Sequence, residues 1–185
     1  PVSSESAKLD DIESRLDDLT ADNQRALVFS QYVDAQYGVE WIAEALSRFR
    51  PLIYTGGMTA AERQQVVDDF ERSSDRRVLV LSLRAGGMGL NLQSASYVFH
   101  MDRWWNPAIE SQAEDRAHRM GRTTPVTVYR YITAGTIEER IDAKLREKRG
   151  LFAEIVDDVS LDLSSSLSEE DLFGLFGLTP ARWAR

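Results

Sequence analysis

Apolar runs too short to be helices, separated by stretches long enough to form one, constrain this chain more than anything else in it. The runs are residues 26–29 (ALVF), 52–54 (LIY), 78–81 (VLVL), 97–99 (YVF) and 126–132 (VTVYRYI). Between them the spacing predicts helices over 35–49, 59–72 and 106–120. A strand that rejoins its sheet through a helix crosses over and pairs in parallel, and a parallel sheet needs cover on both faces. The predicted class is therefore α/β with a mostly parallel sheet.

The flanks read differently. Leu9, Ile12, Leu16 and Leu19 follow helical spacing in an acidic setting, so residues 1–25 are expected to form an amphipathic lead-in helix. The core is expected over 26–135. Thr136, with Glu139 three residues on, is a helix start signal, and residues 136–159 read as a bracing helix leaving that core. Residues 160–185 combine a Ser-rich acidic linker with a short apolar segment, 172–178, that needs a surface to bury against.

At 185 residues the chain can bury one core well. No apolar run approaches the roughly 20 residues that span a bilayer, and no signal-peptide pattern follows Pro1, so a cytoplasmic protein without a membrane partner is expected. The absence of cysteine excludes disulfides and thiolate metal sites, and two isolated histidines do not build a zinc site, so no protein-held metal is expected. Taken as a whole, the net charge of −8 disfavours nucleic acid. Its distribution reverses that reading: residues 1–25 hold seven acids and three bases, 150–185 seven and two, and the middle sixteen and seventeen. A near-neutral core can still present a basic face.

Ligands of open parallel sheets bind beyond the carboxyl ends of the strands. Three loops of unusual composition fall on that edge: Ser30-Gln31-Tyr32, Thr55-Gly56-Gly57-Met58-Thr59, and SLRAGGMGLNL from Ser82 to Leu92. Glycines 86, 87 and 89 would let backbone N–H groups approach a phosphate beside Arg84, although a Gly cluster after a strand is equally a tight turn. Neither G-x-G-x-x-G nor G-x-x-x-x-G-K-[ST] occurs, so the chain has no P-loop of its own. In QAEDRAHRMGR, Gln112, Asp115, Arg116 and Arg119 stand at i, i+3, i+4 and i+7, on one helix face, with Ile109, Ala113 and Met120 on another. Such a face is a solvated surface with ion pairs, or a pair of guanidiniums set to stabilise a transferring phosphoryl group. Asn106 and Pro107 suit a helix start, and Trp104 and Trp105 read as packing or as a platform at a nucleic acid. His100 and His118 read as structural.

Taken in order, these segments resemble the second RecA-like lobe of the Swi/Snf family of helicase-like ATPases, in helicase superfamily two. LVFSQY at 27–32 resembles motif four, YTGGMTAAER at 54–63 the accessory motif after it, SLRAGGMGLNL motif five, and DRWWNPAIESQAEDRAHRMGR at 102–122 the segment ending in motif six. VYRYITAGTIEERI at 128–141 resembles the closing strand and bracing helix, and the WWNP and GTIEERI forms resemble bacterial or archaeal members. The family's motif six usually ends Gly-Gln where this chain has Gly121-Arg122, so no role is carried to Arg122.

The resemblance implies a RecA-like three-layer lobe, with a bracing helix and acidic tail, of a DNA-stimulated ATPase that translocates on double-stranded DNA and remodels protein–DNA complexes. Arg116 and Arg119 would be its catalytic arginines, with Arg119 the finger on the γ-phosphate. Gln112 and Asp115 would line the nucleotide cleft, and Gly87, Gly89 and Asn91 would couple it to DNA. Ser30, Gln31, Gly56, Arg84 and Trp105 would lie along the DNA backbone. ATP and Mg2+ would be held mainly by a first RecA-like lobe, which with double-stranded DNA and a DNA-bound protein makes up the implied partners. This chain alone would not hydrolyse ATP. The alternatives are a stand-alone interaction module that keeps a helicase-like lobe, and a small phosphate-binding enzyme using the Gly loop.

Overall fold

The computed structural model describes residues 6–86, 90–104, 107–115, 117 and 125–153. In chain order its elements are α1 (Ala7–Ala21), β1 (Arg25–Ser30), α2 (Val39–Ala45), a 3-10 turn at Ser47–Phe49, β2 (Leu52–Tyr54), α3 (Ala60–Arg72), β3 (Val78–Ser82), α4 (Leu83–Gly86), β4 (Ala95–His100), α5 (Pro107–Glu114), β5 (Thr127–Arg130) and α6 (Ile137–Ala153). The five strands form one sheet in the order β2-β3-β1-β4-β5, and every pairing is parallel. All five short apolar runs thus became strands.

The chain divides into two compact units, residues 1–102 with 109–131, and residues 103–108 with 132–185. In the first, alternation along the strands sorts side chains to two faces. Ala26, Val28, Val78, Val80 and Phe99 join one core with Leu9, Ile12, Leu16 and Leu19 of α1 and Val39, Ile42 and Ala43 of α2. Leu27, Phe29, Leu79, Leu81 and Val98 alternate to the opposite face and are equally inaccessible. Helices therefore cover both sides of the sheet. The lead-in helix is part of this core and not an appendage to it. Asp11 of α1 accepts from the Tyr131 hydroxyl at 2.6 Å, and the Arg15 guanidinium lies 4.3 Å from the centre of the Tyr129 ring.

Helix starts follow local chemistry. Thr59 and Glu62 form a reciprocal cap on α3: the Thr59 N–H donates to Glu62 Oε2 at 2.7 Å, and the Glu62 N–H to Thr59 Oγ1 at 3.3 Å. The helix expected from residue 35 begins only at Val39. Before it, Asp34 Oδ1 accepts from the amides of Gln36 and Tyr37, closing a turn that competes with helix. Gly38 is required there, because a Cβ would stand 2.5 Å from the Asp34 nitrogen.

In the second unit, the expected pairing of Thr136 with Glu139 is displaced by one residue. Thr136 Oγ1 accepts from the Glu138 N–H at 3.2 Å, while Glu139 accepts from the Gly135 N–H at 2.8 Å. Gly135 itself has φ +72°, a conformation that favours glycine. Arg103 is bound to Asp142 of α6 at 3.0 Å, and both are buried. Among the described residues no helix is long and apolar enough to cross a membrane.

Leu16 is fully buried in the core shared by α1 and the sheet. Leu16→Ala is expected to destabilise the chain by about 2–5 kcal/mol, read as a lower urea midpoint. An unchanged midpoint would make α1 dispensable.

Candidate functional site

All five parallel strands end at one edge, and β1, flanked by β3 and β4, sits where the connections diverge to opposite sides of the sheet. That is where ligands of open α/β sheets bind. The strands finish level: Ser30 pairs with Ser82, Phe29 with His100, and His100 with Arg130.

At the end of β1 the Ser30 hydroxyl donates to Asp102 Oδ2 at 2.7 Å, and the Gln31 N–H donates to Asp102 Oδ1 at 3.0 Å. The Tyr32 N–H donates back to Ser30 Oγ at 3.1 Å. Ser30 is fully buried and Asp102 nearly so. The resemblance sets Ser30 along the DNA backbone; in this chain its hydroxyl is turned inward. It is spent on Asp102, which ties the loop after β1 to the loop after β4. Gln31 is half-buried beside it. Beyond this tie the loop presents Tyr32 and Tyr37, 44% and 52% exposed, edge to face at 5.2 Å.

Gly56 is exposed in the turn after β2, with open space around it. Arg84 lies in α4, the single turn that follows β3 and starts where Ser82 Oγ accepts from the Ala85 N–H at 3.3 Å. Asn91 is exposed in the segment leading to β4. On α5, Gln112 is exposed and Ala113 is buried. Of the helix predicted over 106–120, the described part is α5 to Glu114; Asp115 is exposed in a turn, and the Ala117 N–H reaches back to the Glu114 carbonyl at 3.0 Å. Gly87, Gly89, Trp105, Asn106, Arg116, His118, Arg119, Met120 and the stretch 154–185 lie outside the described residues. Ser30 thus ends β1, and Gln31, Gly56 and Arg84 lie in the segments that follow β1, β2 and β3 at the carboxyl edge of the sheet.

A charged cluster unforeseen from the sequence lies beneath α5. Arg130 Nη2 donates to Glu114 Oε1 at 2.5 Å, and its Nε lies 3.7 Å from Glu110 Oε2. His100 Nε2 is 3.1 Å from Glu114 Oε1, close enough for an ion pair but not aligned as a hydrogen bond, and its ring stacks on Phe29 at 5.4 Å. Burial works to raise the Glu114 carboxyl, yet His100 and then Arg130 hold it below the usual carboxylate range. The signal was present in the sequence as two glutamates, i and i+4, on the side of the helix that also carries Ala113 and Ala117. Among the described residues no group of three or more His, Asp or Glu side chains is placed to hold a metal ion.

Residues 7–121 match the helicase conserved C-terminal domain family. The chain is 38% identical over 174 residues to the putative ATP-dependent helicase/translocase YwqA of Bacillus subtilis, covering 94% of this chain and 18% of that protein. It is 40% identical over 146 residues to the chromatin-remodeling ATPase INO80 of Eremothecium gossypii, covering 78% of this chain and 10% of that one. The solved Sulfolobus solfataricus SWI2/SNF2 ATPase core in complex with dsDNA is similar over 96% of this chain and 37% of its own, with 30% identity and a TM-score of 0.69. This chain therefore spans less than a fifth of the length of these two protein relatives.

Removing Asp102 would strand a buried hydroxyl and an amide. Asp102→Ala is expected to cost about 1.5–3 kcal/mol and to accelerate hydrogen exchange at the Gln31 amide; slow exchange retained there would dissociate the loop from this carboxylate. A depressed carboxyl stabilises the fold above its unfolded pKa and loses that contribution as pH falls through the lower folded value. The urea midpoints of the parent and Glu114→Gln should accordingly differ at neutral pH and converge below pH 4.5.

Proposed function

Because the chain belongs to the helicase conserved C-terminal domain family and is the C-terminal lobe of a Swi2/Snf2-type ATPase, we propose that it is half of a DNA-stimulated motor. Its task is to close on a first RecA-like lobe with ATP and Mg2+ between them. The observation that carries this reading is the convergence at one sheet edge of the loops after β1, β2 and β3 with the exposed Gln112–Asp115 side of α5. Closure brings Arg116 and Arg119 to the nucleotide. Phosphoryl transfer is mainly positioning and electrostatic stabilisation, which guanidiniums supply without proton transfer. Arg119 is the finger and Arg116 its companion, with Gln112 and Asp115 lining the cleft.

Opening then shifts the DNA-facing loops relative to the other lobe, so each turnover advances the pair along one strand of a duplex. Gln31, Gly56, Arg84 and Trp105 are assigned to the backbone track, with Gly87, Gly89 and Asn91 relaying between cleft and DNA. The dsDNA complex of the similar Sulfolobus solfataricus core supports the choice of duplex as the track. The relatives' names support remodelling of protein–DNA complexes as the outcome. Lacking a P-loop, the chain alone is inactive.

Joined to a first lobe that carries a P-loop, the chain should show DNA-stimulated ATP hydrolysis. Arg119→Ala should then lower kcat by about 10³-fold or more while changing ATP affinity little. Near-normal turnover in that variant would overturn the finger assignment, and nucleotide binding by the unjoined chain at full affinity would favour the small-enzyme alternative.

A further inference from the structure

Three charged residues of α1, Lys8, Asp11 and Arg15, stand at i, i+3 and i+7 and so form one stripe along the helix. In the folded chain this stripe grips the sheet. The Lys8 ammonium donates to the Met101 carbonyl at 2.9 Å, Asp11 accepts from the Tyr131 hydroxyl, and Arg15 lies over the Tyr129 ring. Lys8 differs from the other two in where it stands. It occupies the first turn of α1, where the partial positive charge of a helix N-terminus disfavours a cation. Helix stability is therefore a poor account of this residue, and its contact with Met101 is a better one.

The carbonyl that Lys8 holds belongs to the peptide joining Met101 to Asp102. The Met101 N–H donates to the Phe29 carbonyl at 2.9 Å, so this residue is held by β1 on one side and by α1 on the other. Asp102 follows directly, its carboxylate receiving the Ser30 hydroxyl and the Gln31 N–H. A peptide unit is planar, so holding its carbonyl sets the direction in which the next residue leaves. A bond from an ionised donor is roughly twice as strong as a neutral one, and this one is partly shielded from water. We infer that Lys8 is a positioning residue of the loop after β1: through the Met101 carbonyl it sets the direction of Asp102, and so the position of the Gln31 backbone. A C-terminal lobe receives the chain from its first lobe on the side of α1. The helix that carries Lys8 thus relays displacements of that lobe to a loop assigned to the DNA track. The relay rests on the motor reading above; the positioning of Gln31 does not.

Hydrogen exchange at the Gln31 amide reads this position directly. Lys8→Met keeps an unbranched stem and removes the ammonium, and should quicken that exchange about 5-fold or more. The amides of Leu27 and Val80, within the sheet, should keep their parent rates. Lys8→Arg, which can still donate to a carbonyl, should restore most of the protection. Arg15→Met serves as the control, since it removes from the same stripe a cation bound to Asp11, and it should leave Gln31 at its parent rate. In the two-lobe protein, Lys8→Met should raise the DNA concentration for half-maximal ATPase about 5- to 10-fold, with little change in kcat at saturating DNA.

Parent-rate exchange at Gln31 in Lys8→Met would overturn the proposal. Equal quickening in Lys8→Met and Arg15→Met would do so too, because Lys8 would then act only through the stability of α1. If Lys8→Met does not fold, Lys8→Ala, which removes the donor while favouring the helix, is read in the same way. Quickened exchange with unchanged DNA half-saturation, in a protein that Gln31→Ala weakens for DNA, would overturn the relay. If Gln31→Ala itself keeps the parent's half-saturation, the assignment of Gln31 to the DNA track falls, and exchange alone decides the positioning.

Discussion

β1 runs through the middle of a parallel sheet, and neither of its faces can meet water: Ala26 and Val28 point into the core with α1 and α2, and Leu27 and Phe29 are inaccessible on the other side. A strand placed so must have covering helices on both faces and neighbours on both edges. β3 and β4 are those neighbours. The connections then leave β1 and β4 in opposite directions, and the crevice at their carboxyl ends follows. Position of the site is a consequence of burying this one strand.

At that crevice the structure spends charge on geometry. Asp102 accepts from Ser30 and from the Gln31 amide, joining the loops after β1 and β4. Arg130 joins β5 to α5 through Glu114 and Glu110, with His100 packed alongside. Buried ion pairs are a poor means of gaining stability, since desolvation offsets much of their attraction. They are directional, however, which apolar contacts are not. Both clusters stand behind exposed candidate residues, so the costly interactions lie where orientation matters.

Much of this was legible along the chain. Leu9, Ile12, Leu16 and Leu19 announced α1 by spacing, and all four are buried. The apolar runs announced the strands because a run of three to six residues flanked by polar segments has few other uses. Helix starts were less legible. Residues 35–38 carry helical spacing, but Asp34 and Gly38 close a turn there, since a side-chain oxygen one or two peptides away competes with an amide that a helix would leave unpaired. The partner of Ser30 was hidden for a related reason: a serine at a strand end looks like a surface group until its hydroxyl is seen against Asp102, 72 residues later.

The sequence by itself determined the class of fold, the number of strands and the family, because periodicity and motif order are properties of the chain taken linearly. Only the tertiary structure decided the strand order, the merging of the lead-in helix with the core, and the partners of Asp102, Glu110, Glu114 and Arg130. Those depend on register between strands far apart in sequence. A carboxylate's meaning lies in the cation opposite it, and one dimension does not contain that information.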